Sequence, residues 1–170
     1  ESNNVIARSV YLALGEQAAR GRSGTQNAEA AVRRALRSAG LDDETLVLEN
    51  GSGLSRRERA SARFLGEMLA VARRSPFQTA FTDSLPVAGN DGTLKKRFQN
   101  IGSPLRLKTG TLKNVRALAG YWLPEAPQHP LAIVVLVNSE QSGAYLPDLD
   151  KLVMQLLPAA AEANRRPDSP

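Results

Sequence analysis

Apolar positions follow two rhythms along this chain, and the change of rhythm orders it. Up to Arg74 the spacing is helical. Ile6, Val10, Ala13 and Leu14 predict a helix from Asn4 to about Gln17, with Ser2 or Asn3 placed to cap its first turn. A loop at Gly21 to Gly24 follows. Ala28, Ala31, Val32, Ala35, Leu36 and Ala39 then share one face of a helix predicted over Asn27 to Ala39, and Gly40 stops it. Thr45 to Leu48 is short and β-prone. Ser55 and Glu58 read as a capping box for a helix running to about Arg74, with Phe64, Leu65, Met68, Leu69 and Ala72 as its buried face. Ser75-Pro76 breaks it, and Phe77 to Phe81 predicts one or two further turns.

After a turn-rich stretch the period becomes two. Leu105 and Leu107 alternate with Arg106 and Lys108, the pattern of a strand with two different faces. Val115 to Leu123 and Leu131 to Asn138 are further strands. The second is continuously apolar, which predicts a sheet interior covered on both faces. The proline-rich loop joining them is too short for a parallel crossover, so the pair is expected to be antiparallel. Pro147 opens a last helix with Leu149, Leu152, Val153, Leu156 and Leu157 buried. Helices packed on an antiparallel sheet make an α+β fold. No repeat or long internal linker divides it, so one domain is expected over residues 1–163, with a polar tail at 164–170.

Composition narrows the chemistry. An apolar fraction of 42% fits a globular chain, and no apolar run is long enough to span a bilayer. The chain has no Cys, and its one histidine, His129, sits in Pro124-Glu125-Ala126-Pro127-Gln128-His129-Pro130. That argues against a zinc site and against a Ser-His-Asp triad, and no metal or cofactor is expected. The net charge of +5 is carried in short clusters such as Arg33-Arg34 and Lys95-Lys96-Arg97, spread over the whole chain with only 5% aromatics. Nucleic-acid binding would want one basic face interleaved with aromatics, so solvated helix faces are the better account.

Two short motifs carry the candidate chemistry. Lys108-Thr109-Gly110 sets a cation, a small hydroxyl and a residue without a side chain in a row on a strand, a place to hold an anionic group against the backbone. Ser2-Asn3-Asn4 lies at the start of the first helix. Ser-x-x-Lys, Ser-Asp-Asn and Lys-Thr-Gly together are the signature of penicillin-binding proteins and class A β-lactamases. Two of the three stand here in order, with Asn3 in place of the Asp. Asn50-Gly51-Ser52-Gly53-Leu54-Ser55-Arg56, Leu85 to Leu94, and Lys108 to Leu112 followed by Leu118-Ala119-Gly120-Tyr121 sharpen the likeness. From Ser2 to about Val137 the chain resembles the D-alanyl-D-alanine carboxypeptidase/endopeptidases, the low-molecular-mass class C penicillin-binding proteins of the bacterial periplasm. The turn at Asn50 is not a phosphate loop, since no Gly-Lys-Ser/Thr ends it.

The resemblance implies a partial β-lactamase/transpeptidase-like fold and a role for each motif residue. Ser2 would relay a proton towards the leaving group. Asn4 would hold the substrate's peptide carbonyl. Lys108 would support the site and the substrate carboxylate, and Thr109 would donate to that carboxylate. Gly110 lets the ligand approach, and the N–H of Thr111 would form half of the oxyanion hole. Such enzymes cleave peptidoglycan stem peptides through an acyl-serine and bind β-lactam antibiotics. The implied partners are therefore stem peptides, β-lactams and the missing N-terminal part of the same protein, and the implied location is periplasmic.

One departure is large. No serine in the chain has Lys three residues on, so the nucleophile motif is absent. Ser103-Pro104-Leu105-Arg106 and Thr93-Leu94-Lys95-Lys96 only approximate it. The chain reads as the C-terminal part of such an enzyme, carrying half an active site. The alternatives are a non-catalytic module of the same fold that binds peptidoglycan or a partner, and a class A β-lactamase-like fragment. The latter would need a deacylating Glu in the region of Glu44 and Glu49, where the Asn-Gly-Ser-Gly turn fits the carboxypeptidases better.

Overall fold

Helix α1 (Asn4–Gln17) starts at Asn3, whose side-chain oxygen accepts from the N–H groups of Val5 at 3.1 Å and Ile6 at 3.0 Å. These are the N2 and N3 donors that a helix leaves unpaired, so Asn3 is its cap. The geometry comes from a computed structural model that describes residues 3–17, 24–125 and 129–163. Ser2, the tail at 164–170, and most of the loop at Gly21 to Gly24 lie outside the described residues. The chain packs as two compact units, Glu1–Val71 and Ala72–Pro170.

In the first unit α1 packs against α2 (Gly24–Ser38). The two backbones come close at Gly15, where an added Cβ would lie 2.3 Å from the carbonyl of Gly24 and 2.7 Å from the amide of Ala28. The buried residues of α1 are Tyr11 and Gly15. Ile6, Val10 and Leu14, on the face expected to be covered, are exposed. The apolar period located the helix correctly and misplaced its buried side, because α2 docks on the glycine, where approach is closest.

Helix α2 begins three residues before the predicted start and ends as Gly40 predicts. Gly40 adopts φ 76°, its N–H donates to Arg37 O at 2.9 Å, and Leu41 N–H donates to Leu36 O at 3.0 Å. This pair of bonds is the Schellman closure, with Leu36 and Leu41 meeting in one apolar cluster with Leu46 and Phe64. Asp43, 3% exposed, takes bonds from Arg33 at 3.0 Å and Arg37 at 2.8 Å. The Arg37 and then the Arg33 guanidinium hold its carboxyl below the ordinary range.

Thr45 to Leu48 forms no strand, only a single antiparallel bridge between Val47 and Arg59. The Ser55–Glu58 pair is not a helix cap either. Helix α3 (Ala62–Arg74) starts later, capped by Ser61, whose Oγ accepts from Phe64 N–H at 3.0 Å. Ser55 closes a local turn, and Glu58 reaches elsewhere, as described below. Phe64 and Leu69 are the buried residues of α3, with Leu65 and Met68 half-buried.

In the second unit α4 (Gln78–Asp83) precedes a 3₁₀ turn at Gly92–Leu94, then strands β1 (Leu105–Leu112), β2 (Val115–Trp122) and β3 (Leu131–Asn138), then α5 (Leu146–Ala163). The sheet is antiparallel with order β1-β2-β3, in unbroken register from Leu105↔Trp122 to Leu112↔Val115 and from Val115↔Asn138 to Trp122↔Leu131. At the crossing of β1 and β2 only glycine fits position 120, since a Cβ there would stand 2.2 Å from the Arg106 carbonyl oxygen. Leu105, Leu107 and Leu118, all fully buried, form the core with Leu94, Phe98 and the α5 stripe Leu149, Val153 and Leu157. Across the sheet, Phe81 of α4 meets Tyr121 edge-on, and Arg106 pairs with Asp83 at 2.8 Å.

Two expectations need correction here. β3 is an edge strand among the described residues, and its side chains are half-buried rather than covered on both faces. Ile133, Val135 and Val137 do pack on the core. A run of apolar residues suits burial on both sides, yet it does not say which strand, if any, lies alongside. In α5, Leu152 and Leu156 are exposed, because the i, i+4, i+8 row of Leu149, Val153 and Leu157 already fills the contact with the sheet.

Candidate active site

Strand β1 sets out the Lys-Thr-Gly motif through backbone alternation. Its N-terminal half is paired on the outer side by Pro86 to Ala88: Leu107 N–H donates to Pro86 O at 3.0 Å, and Ala88 N–H to Leu105 O at 2.9 Å. Residues 105 and 107 therefore turn their backbone groups away from β2. In an antiparallel ladder every second residue does the same. The register has no bulge, so Thr109 and Thr111 also turn theirs outward. Past Leu107, among the described residues, no backbone group pairs with that edge. The N–H of Thr111 is thus presented where a ligand can take it. This is the kind of fixed donor that stabilises a developing oxyanion.

The side chains alternate too. Thr109 and Thr111 share the face that carries Leu105 and Leu107, beyond the end of the core, and Lys108 projects from the other. Lys108 Nζ donates to Thr109 O at 2.6 Å. Desolvation by the surrounding protein pushes its ammonium below the ordinary lysine value. Its hold on an anion is present below that lowered value and is lost as pH rises through it. In the folded chain the charged form is disfavoured, so stability rises with pH between the lowered and the ordinary value. Gly110 has a second reason to be glycine, since a Cβ would approach that of Ala117 on β2 to 3.1 Å.

Thr109 Oγ1 lies 2.7 Å from Thr93 Oγ1. Thr93 belongs to the turn-rich stretch that carried part of the resemblance, and nothing in the sequence pattern gave it a role.

The other motif lies in the first unit. Ser2 lies outside the described residues. Asn4 is in the first turn of α1, and its amide donates to Ser52 O at 2.6 Å. Ser52 belongs to the glycine-rich turn, which rests on α1 at two points. Gly51 holds φ 67°, and an added Cβ would sit 2.4 Å from Tyr11 Cβ and Cγ. Gly53 holds φ 74° with Asn4 Nδ2 3.5 Å from its Cβ position. Glu58 gathers the turn by accepting at one oxygen from Asn50 and Gly51 N–H, each at 3.2 Å, and from Glu49 N–H at 3.4 Å. Ser55 Oγ donates to the Glu49 carboxylate. The turn that sequence reading used only as a likeness fixes the amide of Asn4.

Comparison with known proteins adds four findings. The sequence profile of the D-Ala-D-Ala carboxypeptidase 3 (S13) family matches residues 1–157. A D-alanyl-D-alanine carboxypeptidase of an Actinomadura species is 34% identical over 163 residues, covering 91% of this chain and 30% of that protein. Carboxypeptidase DacB of Mycolicibacterium smegmatis is 37% identical over 128 residues, 71% of this chain and 28% of that protein. The crystal structure of penicillin binding protein 4 (dacB) from Haemophilus influenzae, complexed with a β-lactam, superposes with TM-score 0.75 at 27% identity, over 92% of this chain and 39% of that one. The chain spans less than a third of the length of these two curated relatives.

Proposed function

Because the chain belongs to the D-Ala-D-Ala carboxypeptidase 3 (S13) family, we propose that it supplies the second and third motifs of a serine-type carboxypeptidase/endopeptidase. The enzyme cleaves peptidoglycan stem peptides in the periplasm through an acyl-serine, and β-lactams acylate the same serine. The observation that carries this reading is the outer edge of β1 past Leu107, which pairs with no backbone group among the described residues and carries the Thr111 N–H, the Thr109 hydroxyl and the Lys108 ammonium on one short stretch. The substrate ends in a carboxylate beside a D-alanyl peptide bond. Lys108 and Thr109 hold the carboxylate, by charge and by a hydroxyl proton. The Thr111 N–H receives the carbonyl oxygen as it gains charge. Asn4 holds the preceding peptide carbonyl, and Ser2 passes a proton towards the departing D-alanine.

The attacking serine and its base come from a Ser-x-x-Lys segment that this sequence does not contain. A serine hydroxyl without a neighbouring base is a poor nucleophile. Lys108 does not replace that base, because a cation occupied with a carboxylate is poorly placed to accept a proton. Support from the relatives is of the same kind, since one is a carboxypeptidase and another was crystallised with a β-lactam.

The test is incubation with a fluorescent penicillin, read by denaturing gel and intact mass. The 170-residue chain should stay unlabelled. The longer protein that places Ser-x-x-Lys ahead of Ser2 should take one label. A stoichiometric adduct on the chain alone would sink this reading, and so would an unlabelled longer protein.

A further inference from the structure

Resting on the carboxylate role of Thr109, we infer that Thr93 is a positioning residue: its hydroxyl holds Thr109 Oγ1, so that the Thr109 proton is left for the substrate carboxylate. The two oxygens are 2.7 Å apart, and either can be the donor. A threonine hydroxyl has one proton and two lone pairs. If Thr109 spends its proton on Thr93, only lone pairs face the ligand, and an anion is repelled. If Thr93 donates, Thr109 accepts on one lone pair and its proton points outward. An arriving carboxylate selects the second arrangement, and the resulting chain of bonds, Thr93 to Thr109 to carboxylate, polarises in one direction.

Thr93 is exposed, yet its backbone has little freedom. Leu94, next to it, is fully buried in the core. Gly89 N–H donates to Leu94 O at 3.1 Å and to Arg97 O at 2.9 Å. On the other side Asp91 Oδ1 accepts from Val87 N–H at 2.7 Å, and Val87 is bridged to Arg106 of β1. Gly92 holds φ 51°, a left-handed turn that brings Thr93 back over the strand. Pro86 to Leu94 therefore pairs with β1 through Leu107 and then folds so that its next hydroxyl meets the motif's hydroxyl.

Thr93→Val keeps the shape and removes the hydroxyl, while Thr93→Ser keeps the hydroxyl. In the 170-residue chain, three-bond couplings of the Thr109 methyl carbon report its side-chain rotamer. One rotamer is expected in the unsubstituted chain and in Thr93→Ser, and averaging in Thr93→Val. In the longer protein, penicillin labelling should slow about fivefold in Thr93→Val, the size of one neutral hydrogen bond, and recover in Thr93→Ser. Thr109→Val should slow it at least as much, and adding Thr93→Val to it should cost nothing more. A Thr109 rotamer that stays fixed in Thr93→Val overturns the inference, as does an additive double variant. If Thr109→Val labels at the unsubstituted rate, the carboxylate role itself fails and this inference goes with it. If the longer protein is never labelled, the function above fails, and the couplings alone decide whether Thr93 holds Thr109.

Discussion

The two motif-bearing regions are held in different ways. Lys108, Thr109 and Thr111 continue a strand whose preceding residues, Leu105 and Leu107, are fully buried in the core. Their backbone directions follow from a ladder that any correctly paired β1 and β2 would share. Asn4 has no such foundation. Its helix leaves Val5, Ile6, Val10 and Leu14 exposed, and its amide is oriented by one carbonyl of a polar turn. That turn depends on two left-handed glycines and on one carboxylate shared among three amides. A core-anchored motif should tolerate polar changes around it and fail through loss of apolar volume. A turn-anchored one should fail through changes that add volume or remove a charge.

Truncation of the core is the largest expected effect. Leu107→Ala removes a fully buried side chain beneath the motif, and should cost about 2–5 kcal/mol in denaturant-induced unfolding. A loss under about 1 kcal/mol would mean that the core does not anchor the strand.

A smaller loss is expected at the turn. Gly51→Ala puts a methyl 2.4 Å from Tyr11 at a left-handed φ of 67°. Strain and overpacking together should cost about 2–4 kcal/mol. The amide resonances of Asn4 and Ser52 should move while those of β1 stay. If β1 shifts as much as Asn4, the two regions are not independently held.

The legible parts of the chain were those that depend on neighbours in sequence. The ranges of α1 and β3 match the expected ones, and β2 ends one residue short of the expected Leu123. Gly40 closed α2, and the alternation at Leu105 to Lys108 gave a strand with two different faces. What stayed hidden depends on distant partners. The apolar face of α1 is not the side it buries, and the stripe on α5 is narrower than its apolar positions, because spacing shows what a helix has to offer and not which row its neighbour takes. The edge position of β3 was hidden for the same reason. Ser55 and Glu58 have the spacing of a capping box, yet the turn at Asn50 offers Glu58 three amides and wins it. In the candidate site, the strand that carries Lys108 to Thr111 was legible from its period, while the roles given to those residues rest on the motif. The Asn4–Ser52 contact, 48 residues apart in sequence, and the Thr93–Thr109 contact, 16 apart, had no local signal beyond the stretches that contain them.

The central claim is that the Lys-Thr-Gly edge of β1 is the anion-holding half of a penicillin-reactive site. The most direct measurement is the labelling rate of the longer protein with Lys108→Ala, at a pH where melting curves show the variant folded. Loss of one electrostatic group at the reacting centre predicts a fall of about two orders of magnitude or more, with the fold intact. A rate within about threefold of the unsubstituted protein would contradict the account, since no site group of that kind can be removed so cheaply.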